Sequence, residues 1–185
     1  MRFTLTYQGD LPPNADNPTK WGIRRALEPQ LRRLWETPPL NDLAKYQDPN
    51  YLPNDCYVGH KFGDIEYVPL ITDKLSLRAE LDIFLLSASL PGGIINRSSD
   101  IDNRLKTLFD ALSIPANGQQ VPKSPDTESD KRVFCLLKDD RLITRVEVSN
   151  DRFLTIDEHS REALVIIRVR PIAFRVTMAN LGIAV

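Results

Sequence analysis

Alternating apolar and polar residues predict strands along much of the chain. Phe3, Leu5 and Tyr7 alternate with polar residues, which predicts a first strand that ends at the turn sequence GDLPPN. The most regular alternation begins at Leu77, in LSLRAELDIFLLSAS, and predicts the clearest strand. Four shorter segments also predict strands, namely YVGHKFGDIEYVPLI as two runs around a turn near Gly63-Asp64, then VFCLL, LITRVEV and ALVIIRVR.

Two segments instead carry apolar residues at helical spacing. The first begins at Asn17, and Pro29 is expected to divide it into two pieces; its apolar face is Ile23, Leu27, Leu31, Leu34 and Trp35. The second runs from Asp102 to Leu112, with Pro115 and Gly118 ending it; its apolar face is Leu105, Leu108, Phe109 and Leu112. We expect Trp21 and Trp35 to pack in the interior rather than to stack on nucleic-acid bases.

The length and the polar stretches indicate how the chain is organised. With 185 residues, the whole chain 1–185 is expected to form a single domain. Two segments, about 37–60 and 115–132, are rich in Pro, Asn, Asp or Ser, which predicts irregular insertions.

Charge and cysteine content exclude some classes of protein. The net charge is −1, from 24 basic and 25 acidic residues, so a uniformly basic nucleic-acid-binding surface is not expected. Cys56 and Cys135 are far apart in sequence and lie in no zinc-binding motif, which favours a reducing compartment. Without a long apolar run, the chain is expected to be soluble, with no membrane partner, and we expect it in the cytoplasm.

The stretch SSDIDNRLKTLFDAL, residues 98–112, places more charge at a helix start than the helix needs. A single capping acid, Asp100 or Asp102, stabilises a helix by about 1 kcal/mol. An ion pair from Asp102 to Lys106, one turn later, adds about 0.3–0.5 kcal/mol. A structural role of this kind is one interpretation, and it leaves the second acid unexplained.

A second acidic site, KDDR at 138–141, lies between two predicted strands. If the edge of a strand brought Asp140 beside Asp100 and Asp102, each pair of carboxylates about 4 Å apart would repel by roughly 4 kcal/mol at an effective dielectric near 20. Such a cluster requires a cation, and hard oxygen ligands suit Mg²⁺, with Mn²⁺ as an alternative. The hypothesis is a metal site made from two distant segments.

These two segments resemble the RusA family of Holliday junction resolvases. The family pattern is D-x-D-N-x-x-K-x-x-x-D-A-L followed by D-D, and the resemblance covers residues 100–112 and 139–148 closely. It extends more loosely to the first strand, to the strand before Asp100 and to the last strand. The segments 37–75 and 115–132 are longer than in the compact family pattern.

The resemblance implies an α+β fold, with a mixed β-sheet and helices packed mainly on one face. It also implies a homodimer that uses Mg²⁺ to cleave branched DNA, as in Holliday junction resolution during recombination or repair. By the same resemblance, Asp100, Asp102 and Asp140 would be the metal-binding catalytic acids and Lys106 the essential lysine. Two active sites related by a two-fold axis would suit paired cuts in a four-way junction.

Other residues in the matching segments also fit the family pattern. Asn103 either fixes the acidic segment or contacts the substrate. Asp110 is expected to be a structural acid, and Asp139 to orient the turn that presents Asp140. Four arginines of the first helix are candidate phosphate ligands, although a solvated helix face explains them equally well; they are Arg24, Arg25, Arg32 and Arg33.

Two alternatives to a junction resolvase remain open. The same acids would serve a structure-selective nuclease that acts on flaps or other branched DNA. In the second alternative, the chain is a DNA-binding or interaction protein that keeps the fold, and its acids have structural roles. Comparing junction, flap and duplex substrates distinguishes the first alternative from a junction resolvase. Titration with Mg²⁺ or Mn²⁺ distinguishes the second alternative from a nuclease.

Overall fold

The computed structural model describes residues 1–51, 56–88, 101–121, 131–154, 160 and 162–184. Seven strands and three α-helices lie in these ranges: β1 (Phe3–Asp10), α1 (Asn17–Trp35), β2 (His60–Phe62), β3 (Ile65–Ile71), β4 (Leu77–Ser87), α2 (Ile101–Leu112), β5 (Arg132–Leu137), β6 (Ile143–Arg152), β7 (Glu162–Ala173) and α3 (Leu181–Ala184). All the predicted strands and both predicted helices are confirmed, and the fold is α+β.

The strands form two mixed sheets, where one mixed sheet was expected. The larger sheet has the order β1-β7-β4-β6, in which β4 and β6 are parallel and the other neighbours are antiparallel. The smaller has the order β2-β3-β5, with β3 and β5 parallel. Strand β3 is buried along nearly its whole length, as is usual for a strand covered on both faces, whereas β4 alternates.

The larger sheet has one buried face and one face whose side chains are half-buried or exposed. Alternate residues of its central strands are buried, among them Leu81 and Ile83 on β4 and Val165 and Ile167 on β7. Helix α1 packs against β1, β5 and α2. Gln30 of α1 also bonds the backbone of β1, since its amide donates to Thr6 O at 2.7 Å and accepts from Thr6 N at 2.9 Å. A side chain of α1 therefore satisfies backbone hydrogen-bonding groups at the edge of β1.

Helix α1 is continuous, so the prediction that Pro29 divides it is wrong. Asp16 caps its start by accepting a hydrogen bond from Thr19 N at 2.9 Å, and Pro29 lies inside the helix on its exposed side. Leu27 before the proline and Leu31 after it are buried in the same core. Packing on both sides of the proline thus outweighs its local tendency to break the helix.

The first insertion is more ordered than its composition indicates. A 3-10 helix, Leu40–Gln47, places Leu40, Leu43 and Tyr46 in the main hydrophobic core. In the second insertion the structure describes a 3-10 turn, Gly118–Gln120, while residues 122–130 lie outside the described ranges.

Candidate functional site

The fold brings the ends of the two acidic segments side by side. The first segment continues into α2, and the second follows β5, where Asp140–Leu142 forms a short 3-10 helix. Ser113, just after α2, pairs with Leu137 at the end of β5 in a parallel bridge, and Ile114 N donates to Leu137 O at 3.0 Å. The end of α2 therefore adds to the edge of the smaller sheet, next to Lys138 and the two acids.

A cavity of about 250 Å³ lies where α1 begins and where α2 and β5 end. It contains three carboxylates, those of Asp110, Asp139 and Asp140, together with the amines of Lys20 and Lys138. The other lining residues are Asn17, Arg24, Ser113, Ile114, Ala116 and Gln120. This is the acidic cavity, in which side chains distant in sequence meet.

Two cations of α1 hold the α2 side of the acidic cavity. Lys20 Nζ lies 2.7 Å from Asp110 Oδ2. Arg24 is only 5% exposed, and its guanidinium donates to Ser113 O at 2.8 and 3.1 Å and to Asp110 O at 2.7 Å. Asp110 therefore has a structural partner, as expected, and Arg24 joins α1 to the end of α2.

Asp139 orders the turn that carries Asp140. Its Oδ1 accepts from Arg141 N and Arg141 Nε, both at 2.9 Å, and its Oδ2 accepts from Arg141 Nη2 at 2.7 Å. These hydrogen bonds from Arg141 lower the pKa of the Asp139 carboxyl to about 2. Asp140, the first residue of the 3-10 helix, is exposed and accessible from solvent.

Asp102 and Lys106 lie earlier in α2 than Asp110, toward the start of the helix. Both are exposed, and Asn103 is half-buried. With a rise of about 1.5 Å per residue, Asp102 is roughly 12 Å along the helix axis from Asp110. Lys106 is four residues from each of them and therefore lies between them on the same side of the helix. The lining of the acidic cavity, as far as it is described, includes neither Asp102 nor Lys106.

Asp100, the remaining predicted metal ligand, lies outside the described residues. Within the ranges that the structure describes, no three His, Cys, Asp or Glu side chains are grouped closely enough to hold a metal ion. A site that includes Asp100 is therefore untested, and the joint metal site of Asp100, Asp102 and Asp140 stays a prediction.

The other arginines of α1 have partners within the fold. Arg32 Nη2 lies 2.6 Å from Glu28 Oε1 and donates to Arg132 O at 2.9 Å, and Arg25 Nη1 is 3.7 Å from Glu28 Oε2. Arg33 is exposed. Of the four candidate phosphate ligands, Arg33 is therefore the most open to solvent, and Arg24 would have to break buried hydrogen bonds to reach a phosphate.

Sequence reasoning missed two lysines of the acidic cavity. Lys138 adjoins the acidic pair in sequence, so a search for cations beside acids would have found it. Lys20 reaches the cavity only because α1 and α2 pack side by side. Lys138 also acts on His60, whose pKa is lowered first by burial and then by the nearby Lys138 and Lys74 charges.

Comparison with known proteins does not assign the chain to a family. No family model matches the chain. No curated protein matches it either. The helices of the described ranges include none that is long and apolar enough to cross a membrane.

Proposed function

We propose that the protein is a metal-dependent endonuclease that cleaves branched DNA, as RusA-like Holliday junction resolvases do. The observation that carries this proposal is the acidic cavity, where Asp110 from the first motif segment meets Asp139 and Asp140 from the second. Sequence spacing alone does not require these segments to be neighbours. Their adjacency is what a nuclease site assembled from both segments needs.

The donor set suits a hard divalent cation. Carboxylate oxygens are the ligands that Mg²⁺ and Mn²⁺ prefer, and Asp140 is exposed at the cavity, with Asp102 exposed on α2. In the proposal Asp100, Asp102 and Asp140 hold the metal. When bound, it would polarise the scissile phosphate and lower the pKa of a water molecule for in-line attack.

The chain's own residues have distinct tasks in this mechanism. Lys106, one turn after Asp102, neutralises charge that builds on the phosphoryl oxygens. Asp139 acts through the turn, because its hydrogen bonds to Arg141 fix the backbone that presents Asp140. Asn103 fixes the acidic segment or contacts the substrate, and Arg33, the most exposed of the four arginines, contacts a DNA phosphate. A homodimer in a reducing, cytoplasmic compartment would supply two such sites to one junction.

The decisive experiment is cleavage of a labelled four-way junction in the presence of Mg²⁺. We expect paired nicks from the wild type, and loss of cutting but not of junction binding in Asp102→Asn and in Asp140→Asn. A flap and a linear duplex serve as comparison substrates, and faster cutting of the flap would redirect the proposal to a flap nuclease. Unchanged cutting by both variants would refute the site assignment.

One observation favours a second candidate, a DNA-binding or interaction protein with structural acids. Two carboxylates of the acidic cavity already have cationic partners, Asp110 with Lys20 and Asp139 with Arg141. Calorimetric titration with Mn²⁺ separates the two candidates. Binding that is lost in Asp140→Asn supports the nuclease, and no binding to the wild type supports the structural role.

A further inference from the structure

A second cavity, of about 380 Å³, lies on the larger sheet, near the start of β1 and the end of β7. It shares no lining residue with the acidic cavity, as far as the two linings are described. Four arginines and two carboxylates face it, those of Arg2, Arg145, Arg168, Arg170, Glu80 and Asp82. We call it the arginine cavity.

Both carboxylates of the arginine cavity already have a guanidinium partner. Arg145 Nη1 lies 2.8 Å from Asp82 Oδ1, and Arg145 also bonds Glu147 beside it on β6. Arg170 Nη1 lies 3.3 Å from Glu80 Oε2. The acids therefore neutralise the arginines on the β4 and β6 side of the cavity.

The side of the arginine cavity toward β1 has an excess of positive charge. Arg2 and Arg168 are exposed, and neither makes an ion pair with another described residue. The Arg168 guanidinium lies 5.1 Å from the centroid of the Phe84 ring, a contact that restricts its orientation. By the register of β1 and β7, Arg2 lies across from Arg170, and like charges directly opposite each other destabilise a sheet. A bound anion would relieve this repulsion.

From this arrangement we propose that the arginine cavity binds a phosphate monoester. Such a group carries a charge of about −1.5 to −2 at neutral pH and has three oxygens that accept strong hydrogen bonds. Arg2 and Arg168 supply two positive charges, and planar guanidiniums bond phosphate oxygens in pairs. Thr4, exposed and across from Arg168 in the register, adds a hydroxyl donor. A carboxylate, with one charge and two oxygens, would leave part of this donor set unused.

The surroundings of the arginine cavity also suit an organic group attached to the phosphate. The cavity is larger than a phosphate alone, and the next row of the sheet pairs Phe84 with Ile166, both half-buried. A nucleoside has a planar base that would cover such an apolar row. The ligand is therefore a nucleoside phosphate monoester, which is either a free nucleotide or the phosphorylated 5′ end of a DNA strand. The site does not depend on the proposed nuclease activity.

Calorimetric titration in buffer freed of divalent metals by a chelating resin tests the proposal, because no metal ion in the acidic cavity then binds the phosphate. The probe is thymidine 5′-monophosphate up to about 10 mM, a range that covers millimolar dissociation constants. Thymidine is the matched compound without phosphate, and we expect the wild type to bind only the nucleotide. Arg2→Gln and Arg168→Gln should each weaken binding by about 10-fold or more, since each removes a charged hydrogen-bond donor. Arg175→Gln, an exposed position beyond the end of β7 and outside the cavity lining, is the control and should bind as the wild type does.

Two single-stranded DNA oligonucleotides of the same sequence, one with a 5′-phosphate and one with a 5′-hydroxyl, distinguish the two sources of the phosphate. Tighter binding of the phosphorylated strand that disappears in Arg168→Gln would assign the arginine cavity to a DNA end. Binding of the nucleotide without this difference would assign it to free nucleotides. The proposal is overturned if neither phosphate monoester binds, if thymidine binds as well as its monophosphate, or if both arginine variants bind normally. Equal binding of the two strands, weakened in Arg168→Gln and without binding of the nucleotide, would show a contact to phosphodiesters and also overturn it. Because binding without metal is measured, failure here leaves the proposed nuclease activity untouched.

Discussion

The buried guanidinium of Arg24 donates to the carbonyl oxygen of Ser113 through two nitrogens, Nε at 3.1 Å and Nη2 at 2.8 Å. Ser113 is the residue that pairs with Leu137 at the end of β5. One side chain of α1 thereby fixes the position of α2 relative to the acidic pair that follows β5. The geometry of the acidic cavity depends on this contact.

Replacing Arg24 with Ala should lower the free energy of unfolding by about 2–4 kcal/mol, because it leaves buried carbonyls without a charged donor. Arg24→Lys should recover only part of the loss, since an ammonium group does not reproduce the planar guanidinium fork. Urea unfolding measures both variants. Arg33→Ala, at an exposed position of the same helix, is the control and should stay within about 0.5 kcal/mol of the wild type. A similar small effect at Arg24 would contradict the structural role.

Asp139 should make stability depend on acid pH. Its folded pKa of about 2 lies below the ordinary value of 3.8, so the ionised form favours the folded state. This contribution is fully present above pH 3.8 and is lost as the pH falls through about 2. Asp139→Asn should therefore unfold at a lower temperature than the wild type at about pH 5, and the difference should shrink by about pH 2.

Thermal unfolding by circular dichroism at the two pH values checks this prediction. Asp64→Asn, in the exposed turn between β2 and β3, provides the control, and its melting temperature should follow the wild type at both values. A difference between Asp139→Asn and the wild type that grows toward low pH would show that the sign is wrong.

The strands and helices were predictable because local patterns match burial. In β4 every second residue from Leu77 to Ser87 is buried, as the alternation predicts. The division into two sheets was not predictable, because it depends on long-range registers such as Leu81 with Val169 and Val68 with Phe134. Pro29 misled the prediction because tertiary packing of α1 overrides local propensity.

The candidate site was predictable only as two segments. The motif spacing identifies α2 and the Asp139-Asp140 turn, but which turn of α2 faces Asp140 depends on how α2 packs. The packing puts Asp110, eight residues after Asp102, into the acidic cavity with Asp140. Lys20 entered the site through helix packing alone, and no pattern in its own segment indicates this.

Asp102 and Asp110 should therefore have separable roles. As a proposed metal ligand, Asp102 replaced by Asn should slow junction cleavage by about 100-fold or more. As a positioning acid held by Lys20, Asp110 replaced by Asn should slow it by about 10-fold. Single-turnover cleavage rates over a range of Mg²⁺ concentrations measure both, and Asp102→Asn, unlike Asp110→Asn, should shift the Mg²⁺ dependence to higher concentrations. A large loss in Asp110→Asn with a normal Asp102→Asn would transfer the ligand role to Asp110.

Two glycines should respond to alanine in opposite directions. Gly22 is exposed inside α1, and a Cβ there would meet no atom within 4 Å, so Gly22→Ala should raise the free energy of unfolding by about 0.5–1 kcal/mol. Gly59 is buried, and a Cβ there would lie 2.7 Å from Glu66 Oε1 and closer still to the Tyr57 hydroxyl. Because Tyr57 Oη donates to Glu66 Oε1 at 2.7 Å, Gly59→Ala should disturb this bond and destabilise the fold by about 1–3 kcal/mol. Urea unfolding of both variants checks the signs, and a destabilised Gly22→Ala or a neutral Gly59→Ala would contradict the local packing described for that position.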